Sequence, residues 1–150
     1  MAASDPPALP PALRALLEAG AGVYCISNTE IERREKRAEL DRLLDAPPSV
    51  VRFNQLRIED LTESLRVIDA SERNMDALTS ATGGRLYKPA SFDGLDRVYA
   101  EVAEELRSQY ALYYMPTDKT RDGRFRRVEV RVTDPSMRVS SRVGYFAPRG

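Results

Sequence analysis

The run GVYCIS, Gly22 to Ser27, constrains the fold of this chain more than any other stretch. It is short, apolar almost throughout, and β-branched or aromatic at several positions, the pattern of a strand covered on both faces in a parallel sheet. Helical patterns lie on either side of it. Upstream, Ala12 to Ala19 has leucines at 13, 16 and 17, and Gly20 and Gly22 stop that helix. Downstream, Thr29 to Asp45 opens with acidic residues, carries charges at helical spacing such as Glu32 with Lys36, and ends before Pro47 and Pro48. A helix leading into a buried strand and out to another helix places the chain in the α/β class. The prolines at 6, 7, 10 and 11 make residues 1–11 a lead-in, outside the fold proper.

Length and charge narrow the functions. With 150 residues, 42% of them hydrophobic, the expectation is one domain able to bury its own core. The 23 basic and 23 acidic residues cancel, so no long-range field gathers nucleic acid or anionic lipid, and a charged partner must be met by local clusters. The single cysteine, Cys25, lies within the apolar run and reads as a small buried hydrophobe rather than a nucleophile. Histidine is absent, which removes the commonest member of Ser/His and Cys/His catalytic groups and of zinc sites. No run approaches the ~20 apolar residues of a membrane span, and the N-terminal stretch has neither a basic n-region nor an unbroken apolar h-region. A cytoplasmic location is the expectation from the chain as it reads.

Residues 29–69 are strongly charged. Its first helix has only a weak apolar stripe, Ile31, Leu40, Leu43 and Leu44, and reads as a solvated helix held by its C-terminal leucines, with a partner-binding face as the other reading. SVVRFNQLRIED alternates weakly, as a strand does. LTESLRVIDASERNMDALTSATGG then predicts one or two helices, with a break near Asp69 to Ser71. The adjacent Gly83 and Gly84 raise the question of a phosphate-binding loop. Such loops precede a helix, whose N–H groups and positive dipole end face the anion. Here the glycines follow a helix, so they are expected to form its left-handed closing turn.

Arg85 to Tyr87 reads as a short strand closed by Pro89. Ser91 is placed as N-cap of a helix with Leu95, Val98, Tyr99, Val102, Ala103 and Leu106 on one apolar face. Tyr110 to Pro116, YALYYMP, predicts a strand whose tyrosines pack in a sheet, a binding surface being the alternative. An Asp-Gly turn leads to RFRRVEVRVTD, which alternates Phe125, Val128, Val130 and Val132 against charges. MRVSSRVGYFAP follows as a further strand, giving a three-stranded antiparallel meander over residues 110–147. Arg124, Arg126, Arg127 and Arg131 fall within it, together with Arg138 and Arg142, and mark the one place where a polyanion or partner contact is expected. Asp118, Asp122, Glu129 and Asp134 interleave with them, and outer-face arginines also serve as cross-strand partners.

Several motifs then recur in order: TGGR at Thr82 to Arg85, ELRSQY at Glu105 to Tyr110, a tyrosine and proline at Tyr113 to Pro116, GRFRRVEVRV at Gly123 to Val132, and GYFAP at Gly144 to Pro148. Residues 72–148 in this way resemble the C-terminal part of the bacterial von Willebrand factor A-related domains of the acidobacterial type, and Ala12 to Ser27 looks like the helix and strand before it. The resemblance implies a partial Rossmann-like, von Willebrand A-type three-layer fold with the meander appended, over residues 12–148, in which residues 29–69 are a charged insertion longer than the family's spacing between those strands, and a role in protein binding. Family members often bind a divalent cation such as magnesium through a DxSxS loop and later Thr and Asp residues, and often carry a secretion signal. That loop has no counterpart here. DAS at Asp69 to Ser71 does not follow an apolar strand, so no metal ligand, cofactor or catalytic residue is carried over. If GVYCIS is central in the parent sheet, an apolar edge is left open, to be covered by a missing N-terminal half, a second copy or another protein.

The expected function is a non-catalytic protein-interaction domain. The alternative is a nucleic-acid or polyanion-binding module using Arg124, Arg126 and Arg127. An enzyme built on Glu101, Glu104 and Glu105 ranks last, because those carboxylates fall on the solvent face of an amphipathic helix.

Overall fold

A computed structural model describes residues 10–150, so most of the proline-rich lead-in read over 1–11 lies outside the described residues. The chain is mixed helix and strand: α1 (Pro11–Ala19), β1 (Cys25–Ile26), α2 (Thr29–Leu44), α3 (Pro48–Phe53), α4 (Gln55–Thr82), β2 (Leu86–Tyr87), α5 (Leu95–Arg107), β3 (Phe125–Arg127) and β4 (Gly144–Phe146). It divides into two compact units, each discontinuous in sequence. One holds the described residues up to 24 with 77–85 and 110–150, and the other holds 25–76 and 86–109.

In the second unit, β1 and β2 pair in parallel, Cys25 opposite Leu86 and Ile26 opposite Tyr87. The intervening chain is helical, as a parallel pair requires of its crossover. The core of this unit lies between α2 and α4, where Leu40, Leu61 and Leu65 cluster with Leu43 and Ile58 against them. Ile68 and Tyr87 are also buried.

Two expectations for residues 48–82 are corrected. SVVRFNQLRIED is not a strand: Pro48 occupies the first turn of α3, where its fixed φ and missing N–H suit helix initiation, and β-branched Val50 and Val51 follow into the helix. Nor is there a break at Asp69 to Ser71. The 28 residues of α4 are continuous. Ile58, Leu61, Leu65, Ile68, Glu72, Met75, Thr79 and Thr82, all buried or half-buried, are spaced by three and four throughout, so a single inward stripe runs its length. With no Gly or Pro inside it, nothing interrupts the backbone ladder.

The first unit closes two helices in the same way. Gly20 after α1 and Gly83 after α4 have φ of 66° and 78°. Ala21 N–H reaches the Leu16 carbonyl (3.0 Å) and Gly84 N–H the Thr79 carbonyl (2.9 Å), while Gly20 and Gly83 N–H turn to Leu17 and Ser80. Each is a Schellman turn, in which glycine supplies the left-handed residue.

Residues 110–147 do not form a three-stranded meander. β3 and β4 pair antiparallel, Phe125 opposite Phe146 and Arg127 opposite Gly144. The ladder reaches one residue further through Val128 N–H to the Val143 carbonyl (3.0 Å). Tyr110 to Pro116 belongs to no sheet. The burial alternation expected for the charged strand persists at Phe125, Val128 and Val130, but ladder pairing does not. Ser91 makes no capping bond either. A 3-10 turn, Phe92–Gly94, intervenes and α5 begins at Leu95. Val98, Val102 and Ala103 of its apolar face are half-buried, whereas Tyr99 and Leu106 are exposed.

Candidate functional site

Gly83 and Gly84 hold no anion-binding geometry, because their N–H groups are spent on Ser80 and Thr79 carbonyls. Their role is steric. A Cβ on Gly84 would collide with the Val23 carbonyl, and one on Gly83 would lie 2.7 Å from Arg142 N and 2.9 Å from Ser141 C. Beside them Thr82 Oγ1 accepts Val23 N–H (3.1 Å) and donates back to the Leu78 carbonyl (2.9 Å). Val143 N–H is taken by the Ala81 carbonyl (3.0 Å). The TGG turn is thus a packing junction.

The four arginines singled out from sequence sit on or near β3, and three of them are occupied by carboxylates. Arg126 Nη2 lies 2.9 Å from Asp118 Oδ2 and 3.0 Å from Asp122 Oδ2. Its pKa is raised, chiefly by the bond to Asp122. Arg124 is 3.8 Å from Asp122, whose carboxyl is held below its usual range first by the Arg124 backbone N–H. Arg131 pairs with Glu129 at 2.8 Å. Arg127 lines a shallow groove of about 200 Å³ with Glu129, Val139, Ser141 and Arg142. The arrangement is a set of locally neutralised pairs, a poor concentrator of phosphate.

Of the helical carboxylates, Glu101 pairs with Arg97 (2.9 Å), Glu104 with Arg107 (3.5 Å), and Glu105 accepts the Tyr87 hydroxyl (2.8 Å). They do not converge on a common point.

Sequence reasoning missed a polar cluster at the C-terminal ends of the parallel pair. Ser27 follows β1, Thr29 begins α2, Lys88 follows β2, and Glu72 comes from the inward stripe of α4. Ser27 Oγ donates to Thr29 Oγ1 (3.1 Å), which donates to Glu72 Oε1 (2.6 Å). Arg33 Nη2 reaches Glu72 Oε2 (2.9 Å) and Asp69 Oδ1 (3.0 Å), and Lys88 Nζ reaches Glu72 Oε2 (3.3 Å). The Glu72 pKa is lowered to about 2, first by Arg33 and then by Thr29 and Lys88, against the cost of burial. So held, Glu72 is a carboxylate with donors on both oxygens and a weak proton acceptor at neutral pH. Ligands of open α/β sheets bind at this end of the strands, but these donors and acceptors are satisfied by one another. Asp69, of the DAS triplet, serves the same ion network.

The remaining feature is apolar. Between Arg107 and Asp118 the sequence carries no charge. Tyr110 is 94% exposed, Tyr113 95% and Met115 84%. Tyr114, at 58%, is anchored edge-on to Tyr145 of β4, ring centroids 6.5 Å apart. The expectation that this tyrosine row packs in a sheet is therefore overturned, because among the described residues no strand is paired with it. Its composition was visible in sequence and its exposure was not.

Among the described residues no helix is long and apolar enough to cross a membrane. No protein-family model, curated protein or solved structure matches this chain.

Proposed function

We propose that the chain is a non-catalytic protein-interaction domain, related in build to the C-terminal half of a von Willebrand A-type domain and without a metal-ion-dependent adhesion site of its own. The observation that carries the reading is the uncharged strip Tyr110 to Met115, held against β4 through Tyr114 while Tyr110, Tyr113 and Met115 face solvent. Tyrosine and methionine are enriched at protein interfaces and charged residues are depleted from interface centres. The parallel β1–β2 pair with its helical crossover supports the α/β kinship. The polyanion alternative is weakened by the carboxylates that occupy Arg124, Arg126 and Arg131.

The test is a photo-crosslinking amino acid at position 113, introduced into the full chain in its own cells, with adducts identified by mass spectrometry. A discrete protein adduct that is lost when the crosslinker is moved to position 127 is expected. Adducts to nucleic acid, or none at 113, would count against the reading.

A further inference from the structure

We infer that the β3–β4 hairpin is a strap with two settings, switched by the N–H of Val143. In one, Val143 N–H is clasped to the TGG turn and the outer half of the hairpin stands open. In the other, it turns to the Val128 carbonyl, the hairpin zips along its whole length, and the TGG turn is uncovered.

Three observations within the first unit carry this. The first is register. Val128 N–H bonds the Val143 carbonyl (3.0 Å) at the base of the hairpin, and Met137 N–H bonds the Asp134 carbonyl (3.2 Å) at its tip. Continuing the pairing of Arg127 with Gly144 step by step sets Val130 opposite Ser141, Val132 opposite Val139, and Asp134 opposite Met137. Bonds fall on every second pair of an antiparallel ladder, so base and tip lie in one phase, and the Val130–Ser141 and Val132–Val139 pairs belong to it. Among the described residues these two pairs exchange no bond. The tip is formed without them, because Asp134 Oδ1 accepts both the N–H (2.9 Å) and the hydroxyl (2.7 Å) of Ser136.

The second is complementarity across the empty rungs. In that register Glu129 faces Arg142 and Val132 faces Val139, an opposite-charge pair and a β-branched pair of the kinds that stabilise sheets. In the open setting Glu129 is spent on Arg131, two residues away (2.8 Å). The third is a donor that cannot serve twice. The ladder needs Val143 N–H for the Val128 carbonyl, but that N–H is held by the Ala81 carbonyl (3.0 Å), and Ser140 Oγ donates to the Gly83 carbonyl (3.3 Å). Zipping exchanges these two bonds, and the packing of residues 141 and 142 on Gly83, for a run of ladder bonds. A partner that binds one setting alone would draw the population to it.

Relaxation-dispersion NMR with amide hydrogen exchange on the full chain tests this. The expected result is one shared µs–ms process at Val130, Val132, Val139, Ser141 and Val143. Gly83→Ala puts a methyl where the arm rests, so it should make the zipped setting dominant and slow hydrogen exchange at those first four residues at least about tenfold. The φ of 78° strains alanine there. Should that variant fail to fold, Ser140→Ala, at an exposed residue, removes only the bond to Gly83 and should raise the minor population about two- to tenfold. Val132→Pro deletes an N–H that only the zipped setting uses, so it should abolish the process while circular dichroism stays that of the parent.

Flat dispersion profiles in both the parent and Ser140→Ala overturn the inference, as does a process that persists in Val132→Pro. A folded Gly83→Ala whose four amides stay unprotected also overturns it. So do amides already protected at least about tenfold in the parent, which would mean a ladder with no open setting.

Discussion

Replacing Gly84 with alanine should destabilise the first unit more than its small size suggests. Gly84 has no left-handed backbone, so conformational strain is not the cause. The added methyl would collide with the Val23 carbonyl, and it would lie 2.6 Å from Val23 C. Backbone atoms cannot rotate away, so residues 22–24 must move bodily. Overpacking of this kind costs about 1–3 kcal/mol. Moving Val23 also breaks its N–H bond to Thr82 Oγ1 (3.1 Å), worth about 1 kcal/mol. The sum is about 2–4 kcal/mol, or about 5–15 °C in Tm for a chain of this length. Gly20→Ala provides the contrast. Its φ of 66° makes alanine strained by about 1–2 kcal/mol, but the new methyl would meet only the flexible end of Arg142, 3.3 Å away. Urea unfolding followed by circular dichroism, with an emission probe for the tyrosines near β4, would give both values. Gly84→Ala within about 0.5 kcal/mol of the parent, or Gly20→Ala the costlier of the two, would refute the steric argument.

Two further predictions concern the second unit. The Glu72 pKa of about 2 lies below the ordinary 4.5, so its ionised form stabilises the fold above about pH 4.5, and that contribution is lost as pH falls towards 2. Its size, lessened by the exposure of Lys88, is about 2 kcal/mol. Glu72→Gln should flatten that part of the pH–stability curve between about pH 5 and 2 while lowering stability at pH 7; an unchanged acid limb in urea titrations would sink the assignment. Leu61, fully buried between α2 and α4, should lose about 2–5 kcal/mol on Leu61→Ala in the same denaturation assay. A cost below about 1 kcal/mol would mean that the cluster is not the core of this unit.

The comparison of sequence with structure turns on particular residues. Glycine placement made both closing turns legible, because Gly20 and Gly83 each follow an apolar helical stripe. GVYCIS and Arg85 to Tyr87 were legible as strands, although pairing is confined to Cys25–Ile26 and Leu86–Tyr87. The continuity of α4 was not, and the reason is Glu72. A charged residue at an inward position, with Asp69 and Ser71 nearby, looks like the end of a stripe. Tertiary partners 39 and 16 residues away in sequence, Arg33 and Lys88, make it part of one. The same residue explains why the polar cluster was missed: its members come from β1, α2, α4 and β2, and no local spacing connects them. The acidic residues interleaved with the arginines were visible in sequence, but which of them pairs with Arg124 and Arg126 depends on the turn that carries Asp118 and Asp122 ahead of β3. The tyrosine strip was misplaced because β propensity measures fitness for a covered sheet, and here no neighbouring strand covers it.

The interleaving of the two units sets an order of assembly during synthesis. The unit built from residues 25–76 and 86–109 is complete once residue 109 has left the ribosome, while the other unit, begun earlier with α1, lacks β3 and β4 until residues 125–146 have followed. At about 5–20 residues per second the interval between the two is a few seconds, long compared with helix or hairpin formation. Through that interval α1 and the TGG turn are without Phe146 and Val143, which Arg14 and Ala81 later engage. α1, made before the helices of the other unit, is therefore later than they are to find its partners, and a chaperone that meets this nascent chain meets it there.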